Sequence, residues 1–227
     1  MREIVFDTET TGLDPATGDR MVEIGCVEVV NRVPTGEVFH AYFNPERDMP
    51  AGAEAVHGLS AAFLADKPLF GEQAAELLRF LGDAPLVAHN AEFDFAFLNA
   101  ELTACGQEPV AIDRMVDTVQ IARKRHPGAK LSLDALCTRY GIDRTHRVKH
   151  GALLDAELLA QVYQELTGGR QIGLELAADT TLAAPAAHNG AASGRTRREP
   201  RPHAASAAEL ARHREFVAGI PNALWLA

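Results

Sequence analysis

The sequence predicts an α/β domain: a mixed five-stranded sheet flanked by helices, followed by a flexible C-terminal linker and a short apolar segment. Three observations lead there. Residues 2–43 read as three strands joined by short connections, which makes an antiparallel meander. From residue 72 to 167 helix-like and strand-like patterns alternate, the order that pairs strands in parallel and covers a sheet with helices. The composition then shifts: ten of the thirty residues 177–206 are alanine, interrupted by Pro185, Pro200 and Pro202, and such a segment buries too little to offset its ordering entropy.

Arg2–Thr8 forms the first strand, with Ile4 and Phe6 on one face and Val5 on the other. Arg20–Asn31 and Gly36–Phe43 form the next two, joined around Pro34-Thr35-Gly36. Glu72–Leu81 is helical, with Ala75, Leu78 and Leu81 on one side. Pro85–His89 is a short apolar strand, after which Asn90 can cap a helix running from Glu92 to Ala104. Val110–Val116 is the last strand, and helices follow near Thr118–Arg125, Ser132–Tyr140 and Gly151–Thr167. Large apolar residues return at the end, among them Leu210, Phe216, Val217, Leu224, Trp225 and Leu226, and Ala207–Val217 is compatible with a helix. The expected organisation is a domain over 1–170, a short peptide at 171–176, a linker over 177–206 and a terminal segment at 207–227.

The net charge of −9 excludes a protein that holds nucleic acid by bulk positive charge. Residues 1–176 carry 16 Lys+Arg against 27 Asp+Glu, a net of −11, so the remainder is net +2. Such a domain acts on nucleic acid only if divalent cations offset its carboxylates or a partner supplies the grip. No apolar run reaches the length of a membrane span, and the N-terminus reads as a strand rather than a signal peptide. Cys26, Cys105 and Cys137 are odd in number and widely spaced, which suits small core residues in a cytoplasmic protein.

Four acids stand out. Asp7 and Glu9 lie two apart on one strand, so they point the same way, on the face of Val5. They are either a solvated strand end or a pair that needs a cation between them. Asp94 falls in a helix's first turn, where the backbone dipole favours an acid, yet it is embedded among Phe93, Phe95 and Phe97. Asp155 shares a stripe with Leu158, Leu159, Val162 and Leu166, so it faces the core and requires a cation or a buried Arg as partner. His150 sits on the loop Arg144–His150, whose Arg144, Arg147 and Lys149 fit either phosphate contact or simple solvation. Arg123-Lys124-Arg125 read either as contacts to a DNA backbone or as cations matched to a helix C-terminus, and the second reading is preferred.

Together these residues resemble the DEDDh exonuclease family. Three segments carry the likeness: Phe6-Asp7-Thr8-Glu9-Thr10-Thr11-Gly12, then His89-Asn90-Ala91-Glu92-Phe93-Asp94, then His150-Gly151-Ala152-Leu153-Leu154-Asp155, with Val56-His57-Gly58-Leu59 as a fourth. The likeness spans residues 2–167 and implies an RNase H-like fold and hydrolysis of phosphodiesters from a 3′ end with two divalent cations, Mg²⁺ or Mn²⁺. It implies Asp7, Glu9, Asp94 and Asp155 as metal ligands, with Asp7 shared by both ions, and His150 as the base that takes a proton from the attacking water. It also implies contact of Thr10, Val56 and His57, beside Asp7, Glu9 and Asp155, with the terminal nucleotide, and a supporting role for His89.

The tail narrows the family. A linker ending in an apolar peptide is similar to that of the proofreading subunits of bacterial DNA polymerase III, which implies docking of Phe216, Leu224 and Trp225 on the alpha subunit. Gln171-Ile172-Gly173-Leu174-Glu175-Leu176 is similar to a sliding-clamp-binding peptide, with Gln171, Leu174 and Leu176 as contacts. The implied partners are therefore a single-stranded or frayed DNA 3′ end, the alpha subunit, the clamp and a small theta-like subunit. Two rivals stand beside this: a free-standing RNA or oligonucleotide exonuclease, and a non-catalytic subunit that stabilises a polymerase.

Overall fold

The computed structural model describes residues 1–145, 147, 149–168 and 205–220. They fall into two units, each described by itself. The first opens with the strands β1 (Arg2–Thr10), β2 (Met21–Val30) and β3 (Val33–Tyr42). β1 and β2 pair antiparallel, as do β2 and β3. The β2–β3 turn differs from the expected one: it falls at Asn31 and Arg32, both in left-handed backbone with φ of 51° and 68°. A two-residue turn with both φ positive matches the twist of paired strands. Pro34 is accommodated inside β3 because β3 is an edge strand.

Two short helices, α1 (Ala51–His57) and α2 (Ala61–Leu64), were not expected from periodicity, since neither is long enough to show it. Then come α3 (Phe70–Leu81), β4 (Leu86–Ala88), α4 (Ala91–Ala104), β5 (Met115–Asp117), α5 (Thr118–Arg125), α6 (Leu133–Tyr140) and α7 (Ala152–Leu166). The strand order is β3-β2-β1-β4-β5, with β4 parallel to both neighbours. β5 is shorter than Val110–Val116. The Asn99 side chain takes both backbone groups of Val110, accepting from its N–H at 2.7 Å and donating to its carbonyl at 3.0 Å, so no strand partner is left for that residue. Residues 112–114 instead form a 3-10 turn. The buried face of α3 is also rotated from the expected one: Ala74, Leu77 and Leu81 are buried while Ala75 is exposed.

β1 is the central strand, and its alternation sorts the core into two layers. Ile4 and Phe6 pack with α3 and α4 through Leu77, Phe95 and Leu98. Val5 packs on the other face against Ala156, Leu159 and Tyr163 of α7. Beyond α7 a third cluster joins Leu158 and Val162 to Ala122, Leu136 and Cys137 of α5 and α6. Cys26, Cys105 and Cys137 are free, and two of them are fully buried, as expected of small core residues. Arg125 ends α5 by donating to the Leu166 carbonyl at the end of α7 (2.9 Å), which accounts for one cation of the basic trio without nucleic acid.

The approach of α7 to the sheet depends on Gly25, opposite Asp7 in the β1–β2 register. A Cβ there would lie 2.3 Å from the Leu153 backbone. The second unit contains α8 (Ala207–Ala218), started by a capping box in which Ser206 Oγ accepts from the Glu209 N–H and the Glu209 carboxylate accepts from the Ser206 N–H at 2.8 Å.

Gly25→Ala is therefore expected to lower unfolding stability by about 1–3 kcal/mol in urea titration, because backbone must move to admit the methyl. Gly52→Ala, where an added Cβ meets nothing within 4 Å, is the matched control and shifts it by less than about 1 kcal/mol.

Candidate active site

The end of β1 gathers the acids. Asp7 and Glu9 lie on the Val5 face, and α7 brings Asp155 to them in its first turn, because Gly25 lets that turn rest on β2. Asp94 arrives from the opposite layer. It sits in the first turn of α4, buried, and its Oδ1 accepts from Thr8 Oγ1 at 2.8 Å. Thr8 points away from Asp7 and Glu9 and so serves as the link between the β1 tip and α4. Asn90 occupies the position before α4 but does not cap it with its side chain. Its backbone is left-handed (φ 67°), a conformation Asn tolerates, and its N–H donates to Asp117 Oδ1 at 3.2 Å.

These residues line a cleft of about 260 Å³ that also includes His89, His150 and Arg147. His150 lies on the loop before α7, as expected, with its N–H directed at the Val56 carbonyl (3.4 Å) and its side chain half exposed. One ligand atom from each of Glu9, His150 and Asp155 lies within 4.8 Å of the others, a cluster able to hold a metal ion. His89 Nδ1 lies 2.9 Å from Thr118 Oγ1, which itself donates to the Ala88 carbonyl (3.1 Å), so this ring is fixed as a buttress.

The electrostatics are those of unmet negative charge. Burial, then Asp94, Glu9 and Asp155 in that order, push Asp7 well above the usual carboxylate range. Glu9 is pushed up to about 8 by burial and by Glu23, Asp155 and Asp94. Asp94 is raised to about 7 by burial, against the pull of the Thr8 hydrogen bond. Glu23 is directly across from Glu9 in the β1–β2 register and is itself buried, with His40 Nε2 at 2.7 Å. The sequence reading missed Glu23, although its alternation with Gly25 in β2 was available. It also missed Thr8, which lies on the face opposite Asp7 and Glu9.

The partner required by Asp155 is Arg147, one of the two possibilities the stripe left open. Arg147 Nε and Nη2 grip Asp155, the latter at 2.6 Å, and Nη1 bonds Asp134 Oδ1 at 2.9 Å. Arg144 also reaches Asp134 (2.9 Å), and Lys149 lies over Gly58, where a Cβ would meet it at 2.6 Å. Thr10, Val56 and His57 are not in the wall of this cleft. The Thr10 hydroxyl donates to the Gly12 carbonyl at 2.6 Å. His57 is buried at the end of α1, and Nδ1 accepts from the Leu59 N–H at 3.0 Å, which leaves the proton on Nε2. Burial lowers its pKa, against the pull of Glu23 and the Thr10 backbone, and Nε2 makes no well-formed hydrogen bond among the described residues. Phe216 lies on α8, whereas Gln171, Leu174, Leu176, Leu224 and Trp225 fall outside the described residues.

The exonuclease family model named for RNase T matches residues 4–163, a span that contains every residue of the cleft. DNA polymerase III subunit epsilon of Rickettsia felis is 45% identical over 223 residues, covering 97% of this chain and 97% of its own length. The Escherichia coli K12 protein of the same name is 46% identical over 176 residues, 74% of this chain and 72% of that one. The chain belongs to the epsilon family of exonucleases. Its fold is shared with Exonuclease X in complex with 5′ overhanging duplex DNA (TM-score 0.55, 24% identity, 72% of this chain and 90% of that one). It is also shared with Exonuclease I (TM-score 0.64, 18% identity, 73% and 40%). The RNase H-like architecture expected of the sheet and helices is the one found. No helix among the described residues is long and apolar enough to cross a membrane.

A carboxylate with a raised pKa holds a proton in the folded state that the unfolded chain has released, so it favours folding at low pH and opposes it as pH rises through the folded value. In EDTA, the urea midpoint is expected to fall between about pH 5.5 and about pH 8.5, with a smaller fall for Asp94→Asn and for the wild type in Mg²⁺. A midpoint that rises with pH in EDTA, equally in both proteins, would remove carboxylate repulsion as the dominant force here.

Proposed function

We infer that this chain is the proofreading 3′→5′ exonuclease subunit of a bacterial DNA polymerase III, removing mispaired 3′-terminal nucleotides in the cytoplasm at the replication fork. The observation that carries this is the convergence of Asp7, Glu9, Asp94, Asp155 and His150 on one cleft in a chain aligned over nearly its whole length with an epsilon subunit.

The donor set suits two divalent cations, Mg²⁺ or Mn²⁺: the carboxylates are all hard oxygen donors, and the raised affinity of Asp7, Glu9 and Asp94 for protons marks a place short of positive charge. Asp7, Glu9 and Asp155 would hold one ion and Asp7 with Asp94 the other. When bound, the ions supply charge for the attacking and leaving oxygens of the phosphodiester.

The chain's own groups do the rest. His150, half exposed at the cleft, accepts the proton of the attacking water, a task suited to an imidazole near neutral pH. Thr8 holds Asp94, and His89 stiffens the wall. His57 offers its buried Nε2–H, and with Val56 and Thr10 it contacts the terminal nucleotide. A pocket that takes an unpaired 3′ end favours frayed or mismatched termini, since unpairing costs less there. Cleavage on that side of the phosphate releases 5′-mononucleotides.

The segment 207–227, with Phe216, Leu224 and Trp225, docks on the alpha subunit, and 171–176, with Gln171, Leu174 and Leu176, engages the clamp; a small theta-like subunit completes the set. Such tethering supplies an acidic nuclease with substrate through effective concentration rather than charge.

The test is a time course on 5′-labelled single-stranded DNA and RNA of one sequence, in Mg²⁺ and in EDTA. A ladder shortening from the 3′ end, faster on DNA and absent in EDTA, is expected. A preference for RNA would overturn the proofreading assignment. Asp7→Ala should bring cleavage to background while leaving the urea midpoint unchanged or higher, because a buried like charge is gone. His150→Gln should slow cleavage by roughly 10²–10⁴-fold, the usual range for a lost general base.

A further inference from the structure

Among the described residues that line the cleft, Arg147 is the one Lys or Arg. Its side chain is 9% exposed and that of Asp155 is 4% exposed, and two of its nitrogens grip both carboxylate oxygens. A carboxylate held by a fork on both oxygens has little capacity left for another cation. The same Nη2 lies 2.6 Å from His150 Nδ1 and 3.5 Å from His150 Nε2. His150 Nδ1 in turn lies 3.1 Å from Asp155 Oδ2. These contacts compete: a neutral imidazole nitrogen either accepts from the guanidinium or donates to the carboxylate, and not both. While Nδ1 accepts from Arg147, the ring's proton is on Nε2, and a ring so protonated has no free lone pair for a water proton. The third arm of Arg147 is independent of all this, on Asp134 at 2.9 Å, outside the cleft wall.

We propose that Arg147 is the resident counter-ion of the cleft before it is loaded: it occupies Asp155 in place of a divalent cation, and loading transfers Asp155 to the cation while Arg147 is retained by Asp134. Release also frees His150 to donate from Nδ1 to Asp155, which leaves the Nε2 lone pair facing solvent as the proton acceptor. Arg147 is in this sense a positioning residue, acting through Asp155 and His150. The inference rests on the reading of Asp155 as a metal ligand.

The experiment is Mn²⁺ binding by calorimetry, with thermal melts in EDTA and in saturating Mn²⁺, on the full chain and its R147Q and R147K variants. Removing a competing cation should tighten Mn²⁺ binding roughly tenfold in R147Q, equivalent to about 1.4 kcal/mol, with R147K between it and the wild type. R147Q should melt below the wild type in EDTA, and the deficit should narrow at saturating Mn²⁺ to the small part owed to the exposed Asp134 contact. Equal or weaker Mn²⁺ binding by R147Q overturns the proposal, and so does a melting deficit undiminished in saturating Mn²⁺, because the Arg147–Asp155 fork would then be a permanent structural tie. Absence of Mn²⁺ binding to the wild type overturns the metal assignment itself and the proposal with it. The wild type alone gives a further reading that survives a misfolded variant: the Arg147 Nε–H resonance should shift when Mg²⁺ is added, and one that stays in place overturns the transfer.

Discussion

The arrangement depends on like charges forced together where water screens them poorly. Asp7, Glu9, Asp94 and Asp155 are drawn from three elements into one corner, and burial raises the proton affinity of the first three. Isolated, such a cluster would be expelled to the surface, since an unpaired buried carboxylate is costly. It stays because each acid is on an element whose apolar residues are committed elsewhere. β1 is fixed by Ile4, Val5 and Phe6, α4 by Phe95, Phe97 and Leu98, and α7 by Ala156, Leu159 and Tyr163. The core thus supplies the free energy that holds the acids in mutual repulsion, and that repulsion is what a cation relieves.

Two short-range features make the convergence possible. Gly25 removes a side chain where the first turn of α7 meets β2, and Thr8 ties the tip of β1 to α4 from the face opposite Asp7. Neither touches the reacting atoms in the proposed chemistry, yet each sets how far the acids stand apart. Charge elsewhere in the domain is handled by pairing: Arg20 forks onto buried Glu101 at 2.8 Å on both nitrogens, and the Tyr163 hydroxyl donates to buried Glu3 at 2.7 Å. The contrast separates acids whose charge is met within the fold, Asp155 with its Arg147 fork among them, from Asp7, Glu9 and Asp94.

Much of this was legible in the sequence, for physical reasons. The period-2 pattern of β1 put Asp7 and Glu9 on one face, and the helical stripe of α7 put Asp155 inward, because side-chain direction follows backbone period. The sheet's make-up followed from the spacing of elements. What was not legible depended on contacts between distant segments. Asn99 consumed the backbone of Val110 and shortened β5. Asn31 and Arg32 took the hairpin turn from the Pro-Thr-Gly stretch. Arg147 looked like one of three loop cations, and only folding brought it against Asp155. Glu23 shares a strand face with Gly25 in the sequence, but only the β1–β2 register reveals that it faces Glu9.

The central strand is the first element of the chain, while the helix that packs against the face bearing Asp7 and Glu9 is the last among the described residues of the first unit. During synthesis the meander and α4 leave the ribosome early, carrying three of the acids, but His150 and Asp155 emerge only with α7. A chain arrested before that point holds all five strands and three of the acids, but not the completed cleft. On the chemistry proposed above, nuclease competence therefore arrives late in synthesis, with the docking of α7.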